Sequence, residues 1–122
     1  MSNSGYKISN QSNYVLIERS PDYEVTLNEQ PAMLMELASA CKEADCQNVL
    51  ILGPKTKVSL STFDILDLGQ QIATLGLRIA IVESHDAANE DVNFLEKAVW
   101  NRGGYIRFFD SEMEAKYWLQ IS

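Results

Sequence analysis

The sequence predicts an α/β domain: a mixed, mainly parallel β-sheet with an antiparallel edge at its N-terminal side and about four helices packed on it. Three observations lead there. The apolar runs Val49-Leu50-Ile51-Leu52, Arg78-Ile79-Ala80-Ile81-Val82 and Tyr105-Ile106-Arg107-Phe108-Phe109 recur at roughly the thirty-residue interval of a strand-helix-strand unit. Segments with apolar residues at helical spacing separate them, as parallel neighbours require. Before residue 28 the apolar pieces are joined by turns too short for a parallel crossover, which makes that part a hairpin or an antiparallel edge.

Element by element, Tyr6 and Ile8 alternate with polar neighbours, Tyr14 to Ile17 is a continuous apolar run, and Tyr23, Val25 and Leu27 alternate again after the turn Ser20-Pro21-Asp22. These are three strand-like pieces. Asn28 offers an N-cap, Pro31 suits a first helical turn, and Leu34, Leu37, Ala38 and Cys41 share a face, so a first helix is expected to end near Asp45. The strand at 49–52 follows. A second helix starts at Ser61 or Thr62, carries Ile65, Leu68, Ile72 and Leu75 as its buried stripe, and stops at Gly76. Gly69 lies inside it, at a cost of about 1 kcal/mol relative to alanine; close packing of the helix on the sheet would account for it. A third helix runs from near Asn89 to Gly103 with Val92, Leu95 and Val99 inward, and Ser111 with Glu114 forms the S-x-x-E start of a last helix that turns Ala115, Trp118 and Leu119 inward. Trp118 and one of Phe108 and Phe109 are assigned to the core. Trp100 adjoins the third stripe without belonging to it, which places it at a dimer surface or lining a pocket.

The 122 residues, 46% hydrophobic and 22% charged, make one ordinary domain, taken as residues 1–122, with no linker or repeat. No apolar run approaches the roughly 20 residues needed to span a bilayer. Met1-Ser2-Asn3-Ser4-Gly5 lacks the basic and apolar blocks of a secretory signal, and two cysteines are too few for a disulfide framework. The expected compartment is the cytoplasm. Seventeen acidic residues against ten basic ones give a net charge of −7, which argues against nucleic acid as a partner.

Chemistry-bearing residues are sparse. His85, the single histidine, lies in a loop beside Ser84 and Asp86, too close along the chain to both for a preorganised triad. Cys41 belongs to an apolar helix face and Cys46 lies just beyond it, a spacing of neither the C-x-x-C redox motif nor a repeated zinc-ligand pair. Glu83, Asp86, Glu90 and Asp91 cluster near a helix start, where acids suit the dipole. No catalytic residue, cofactor or metal site is expected. The charge distribution has one local exception: from Cys46 to Phe63 the charged side chains are Lys55 and Lys57. They precede Ser61 and Thr62, whose oxygens can cap the second helix and whose position favours an anion or a phosphate. The run Gly53-Pro54-Lys55-Thr56-Lys57 lacks the frame of a phosphate-binding loop.

The stretch Arg78-Ile79-Ala80-Ile81-Val82, then Phe94-Leu95-Glu96 through Asn101-Arg102-Gly103, then Arg107-Phe108-Phe109, and finally Glu114-Ala115 with Trp118-Leu119 resembles the SpoIIAA-like branch of the STAS superfamily. The resemblance covers about half the chain by motif and nearly all of it by element order, by the strand-helix alternation already described. It implies a mixed sheet with packed helices and a role in binding. Members of the superfamily include anti-sigma-factor antagonists, switched by phosphorylation at the start of the helix after the third strand, where this chain has Ser61 and Thr62. The antagonists' Asp-Ser-Ser-Gly-Leu-like run is absent. A two-component receiver shares the alternating order, but where it needs a phosphoacceptor aspartate this chain has Gly53, and where it needs a lysine it has Asp110.

The expected function is therefore that of a non-catalytic cytoplasmic regulatory or protein-interaction module. Ser61 and Thr62 are its regulatory hydroxyls, Lys55 and Lys57 its anion or partner surface, and its partner is a protein or a second copy of the chain. The alternative is a carrier or sensor of a small apolar or lipid-like ligand, as in the wider STAS and Sec14-like grouping.

Overall fold

A computed structural model of the chain describes residues 5–11, 13–20, 24–25, 30–53, 57–58, 61–82 and 90–121. In chain order the elements are β1 (Tyr6–Gln11), β2 (Tyr14–Arg19), β3 (Glu24–Val25), α1 (Gln30–Ala44), β4 (Asn48–Leu52), β5 (Lys57–Val58), α2 (Thr62–Thr74), β6 (Arg78–Val82), α3 (Glu90–Trp100), β7 (Tyr105–Phe109) and α4 (Glu112–Leu119). Five strands form one sheet in the order β1-β2-β4-β6-β7, and β3 with β5 forms a second, two-stranded sheet.

The expected antiparallel edge is the β1–β2 hairpin, registered with Ile8 opposite Ile17 and Gln11 opposite Tyr14. From β2 onward the sheet is parallel, through Ile17 with Ile51, Ile51 with Ile81, and Ile81 with Phe108. The strands at 49–52, 78–82 and 105–109 are thus mutually parallel. Apolar runs of this kind predict central strands, which β4 and β6 are; among the described strands β7 lies at the edge. The cause is visible in its residues. The three middle residues of β4 and of β6 are buried on both sides of the sheet, while in β7 exposed Tyr105 and Arg107 alternate with Ile106 and Phe108, the pattern of a half-covered strand.

Because crossover connections share one hand, a strand order that advances in a single direction puts every crossover helix on the same face. The core follows that rule. Met33, Leu34, Leu37 and Cys41 of α1, Leu68 and Ile72 of α2, and Val99 of α3 pack with Val15, Ile17, Val49, Ile51, Ile79, Ile81 and Ile106. On the opposite face Ala115 and Leu119 of α4 pack with Leu50 and Ala80.

Gly69 does serve close packing, but against α3 and not against the sheet: a Cβ there would lie 3.0 Å from the Ala98 Cβ. Trp118 and both phenylalanines are half-buried. Phe108 leans on the three-helix core, and Phe109 and Trp118 lean on the α4 core.

Candidate functional site

The expected regulatory residues sit where β5 hands over to α2. Lys57 and Val58 pair in parallel with Glu24 and Val25, so the connection after β4, which reads from the sequence as a loop carrying Lys55 and Lys57, contains a short strand. Two residues are too few for a periodicity to reveal. This pairing ties the backbone before Ser61 to the segment that follows β2. Lys55, the side chain of Lys57, and the loop with Glu83, Ser84, His85 and Asp86 lie outside the described residues.

Ser61 is the N-cap of α2, with extended dihedrals of φ −79° and ψ 172°. Its Oγ accepts from the Asp64 N–H at 3.2 Å, and its own N–H donates to Asp64 Oδ2 at 3.1 Å. Each satisfies a donor that the helix cannot pair. The capping box was legible only in half: Asp64 suits the dipole, but its reach back to Ser61 needs the Ser61 backbone to turn out of the helix. The Asp64 carboxylate already occupies the place where an anion would bind, so a phosphate on Ser61 Oγ would be repelled by it. The Thr62 hydroxyl is exposed one position on and takes no part in the box.

Phe63, which the sequence did not single out, is 84% exposed in the same turn. The signal was available, since Phe63 falls off the face defined by Ile65, Leu68 and Ile72, which are buried. The turn therefore presents two hydroxyls and a bare phenyl ring. Ligand crevices in open α/β sheets form where the strand order reverses. Among the described strands of the main sheet the order does not reverse.

The structure brings together two further groups that the sequence kept apart. α1 ends with Asp45 at φ 54°, the Asp45 N–H bonded to Lys42 O and the Cys46 N–H to Cys41 O. That left-handed turn folds the residue after it back over the last helical turn, so Cys46 meets Cys41. Burial first, then the neighbouring Cys46 sulfur, pushes the Cys41 thiol up to about 12. A thiol so held is protonated and unreactive. Among the described residues no three His, Cys, Asp or Glu side chains gather as a metal-binding group.

The second group is a run of ring pairs and cations beside β7. Trp100, 67% exposed, meets Tyr105 edge-on at 5.7 Å. The Arg78 guanidinium lies 4.6 Å from the Trp118 ring centre and 5.7 Å from that of Tyr105, and donates to the Trp118 carbonyl at 2.7 Å. It thereby neutralises the carbonyl end of α4. Trp118 continues to Phe109, 5.7 Å away, whose ring faces Arg107. Trp100 thus lines a surface cleft, one of the two places expected for it.

No helix among the described residues is long and apolar enough to cross a membrane. No family model and no curated protein matches the chain. Among solved structures, it is similar to an uncharacterised protein of the DUF3478 family with a SpoIIAA-like fold from Shewanella loihica PV-4. The two are 23% identical with a TM-score of 0.53, and the match covers 98% of each chain. Together with the strand order and the four helices, that likeness makes the fold of this chain SpoIIAA-like.

Proposed function

We propose that the domain is a non-catalytic, cytoplasmic protein-interaction module whose partner docks on the first turn of α2. The supporting observation is Phe63: a large apolar ring, 84% exposed, held by a capped helix start beside two exposed hydroxyls. Water contact over such a ring is unfavourable by roughly 25 cal/mol per Å² of apolar surface, and a partner that covers it recovers that energy. Thr62 is the preferred point of regulation. A phosphate there presents roughly two negative charges at the edge of the docking ring without dismantling the Ser61–Asp64 box.

The experiment is photo-crosslinking in the native cell from a benzoylphenylalanine placed at position 63, with position 35, also exposed, as the control site. A single heterologous protein captured from 63 and not from 35 is expected, and its affinity falls at least about tenfold in Phe63→Ser and Thr62→Glu, as loss of an interface anchor does. Equal capture from both sites, or wild-type affinity in both folded variants, would defeat the proposal.

The alternative of a small apolar ligand has less support. A cleft of ≈ 530 Å³ between β1 and α1 is lined by Ile8 and Met35 but also by Glu36 and Glu43, and a lipid-like molecule there would desolvate carboxylates. A constant extra mass on the natively purified protein in native mass spectrometry would reinstate it.

A further inference from the structure

Both cysteines of the chain meet at the end of α1. Asp45 at φ 54° reverses the backbone, and the Cys46 N–H then donates to the Cys41 carbonyl at 3.0 Å. A residue pair joined in this way has its Cα atoms within the roughly 4.4–6.8 Å that a disulfide spans. The left-handed turn also lays the Cys46 side chain over that of Cys41, and the two thiols share a hydrogen bond. Their exposure differs. Cys41 is 3% exposed inside the three-helix core, whereas Cys46 is half-buried at its margin, with its thiol directed at the Asn48 carbonyl 3.9 Å away.

We propose that Cys41 and Cys46 form a reversible oxidation site, closed to a disulfide by hydrogen peroxide. Cys46 reacts first, being the thiol that solvent reaches. Its thiolate attacks one peroxide oxygen, the O–O bond breaks, and Cys46 becomes a sulfenic acid while the departing hydroxide takes up a proton and leaves as water. The Cys41 sulfur then attacks the Cys46 sulfur. The Cys41 proton passes to the sulfenic hydroxyl, which leaves as a second water. The two thiols have together lost two electrons and two protons, and the peroxide has been reduced to water. Burial keeps Cys41 protonated and closed to reagents in solution. Its electrophile is instead delivered at contact, where fixed partners react at effective concentrations of about 10⁵ M or more. The bridge stops Cys46 short of the irreversible sulfinic acid, and a dithiol reopens it by exchange, itself becoming the disulfide. None of the residues of the Phe63 turn takes part.

The test treats the full folded chain with hydrogen peroxide, unfolds it with a maleimide present to block remaining thiols, and digests it with trypsin, which cuts after Lys42 between the two cysteines. The wild type is expected to lose both maleimide-reactive thiols and to yield the peptide ending at Lys42 joined to the one starting at Glu43. Dithiothreitol is expected to separate the peptides and return both thiols. Cys41→Ser should halt at a Cys46 sulfenic acid that dimedone traps. In Cys46→Ser the Cys41 thiol should be lost at least about tenfold more slowly than in the wild type, because burial shields it. Asp45→Val, whose branched side chain opposes the left-handed turn, should close the bridge several-fold more slowly and give more dimedone adduct at Cys46. Unbridged cysteines in the oxidised wild type, loss of the Cys41 thiol at the wild-type rate in folded Cys46→Ser, or closure that accelerates in proportion to the unfolded fraction in dilute denaturant would overturn the proposal.

Discussion

The two faces of the sheet are built to different depths. Among the described residues, fifteen buried side chains join the three-helix face into one cluster, and four, two of them alanines, make up the buried part of the α4 face. The thin face compensates with half-buried rings and a guanidinium: Phe109, Trp118 and Arg78 fill the margin that aliphatic side chains fill opposite. It also borders exposed Met113, Tyr117 and Tyr105. The three helices of the thick face each cross between two parallel strands, whereas α4 is held on the thin face by Ala115 and Leu119 and by the Arg78 contact with Trp118.

Truncation of one leucine on each face is expected to separate the two faces by the largest energy. Leu37 and Leu119 are 1% and 2% exposed, so equal chemistry is removed. Leu37→Ala is expected to cost about 3–4 kcal/mol, near the upper part of the usual range, because three helices hold the cavity open. Leu119→Ala should cost about 2 kcal/mol, because α4 can settle onto the sheet. Denaturant unfolding of both variants measures the difference, and equal losses would mean that the faces are equally rigid.

Alkaline pH acts on the thick face, which contains the buried Cys41 thiol. Its folded pKa of about 12 lies above the ordinary thiol value of 9.0 because burial disfavours the thiolate. Above pH 9 the unfolded chain releases a proton that the folded chain keeps. The stability from the protonated thiol is therefore complete below pH 9 and declines as the pH rises towards 12, by at most about 1.4 kcal/mol per pH unit. Cys41→Val should be flatter than wild type across that window in unfolding measured at successive pH values. Parallel curves would remove Cys41 as the source.

Most of this frame was legible in the residues. The parallel strands showed because burial on both faces leaves uninterrupted apolar runs at 49–52 and 79–82, and α2 and α4 showed because Ser61 and Ser111 are strong N-caps. What stayed hidden depends on residues distant in the chain or on a single dihedral. The Arg78 contact with Trp118 spans forty residues, and the meeting of Cys41 and Cys46 depends on Asp45 adopting a positive φ. The edge position of β7 was half visible. Tyr105 and Arg107 alternate with apolar neighbours, but the run ends in two phenylalanines, which made it look like a central strand. At the candidate site, Ser61 and its cap were readable, whereas Phe63 was passed over because helix stripes direct attention to the face that is buried.

The two serine caps carry the comparison to smaller energies. Ser61 Oγ and Ser111 Oγ accept from the N–H three residues on, at 3.2 and 3.3 Å. Ser61→Ala is expected to lower global stability by about 1 kcal/mol, since α2 is locked between β4 and β6 and unfolds with the whole. Ser111→Ala should be felt first as faster hydrogen exchange within α4, an eight-residue helix whose opening need not unfold the rest. Confinement of both effects to global unfolding would show that α4 is as tightly coupled as α2.

The smallest expected effect is a gain. α4 ends at Gln120 with φ 61° and ψ 42°, and the amides of Gln120 and Ile121 return to the carbonyls of Tyr117 and Lys116. A left-handed residue bearing a Cβ is strained by about 1 kcal/mol or more, and the Gln120 side chain is exposed, so little packing offsets the strain. Gln120→Gly relieves it while loosening the unfolded chain. The expected net gain is about 0.5 kcal/mol, or about 2 °C in Tm for a domain of this size. Asp45→Gly provides the matching change on the thick face, where α1 ends with φ 54°. Its gain should be smaller, because aspartate tolerates the left-handed region better than glutamine does. Slower exchange within α4 in Gln120→Gly, without a comparable change around α1 in Asp45→Gly, would place the adjustable end of the molecule at α4; a loss of stability in Gln120→Gly would show that the glutamine side chain holds the turn itself.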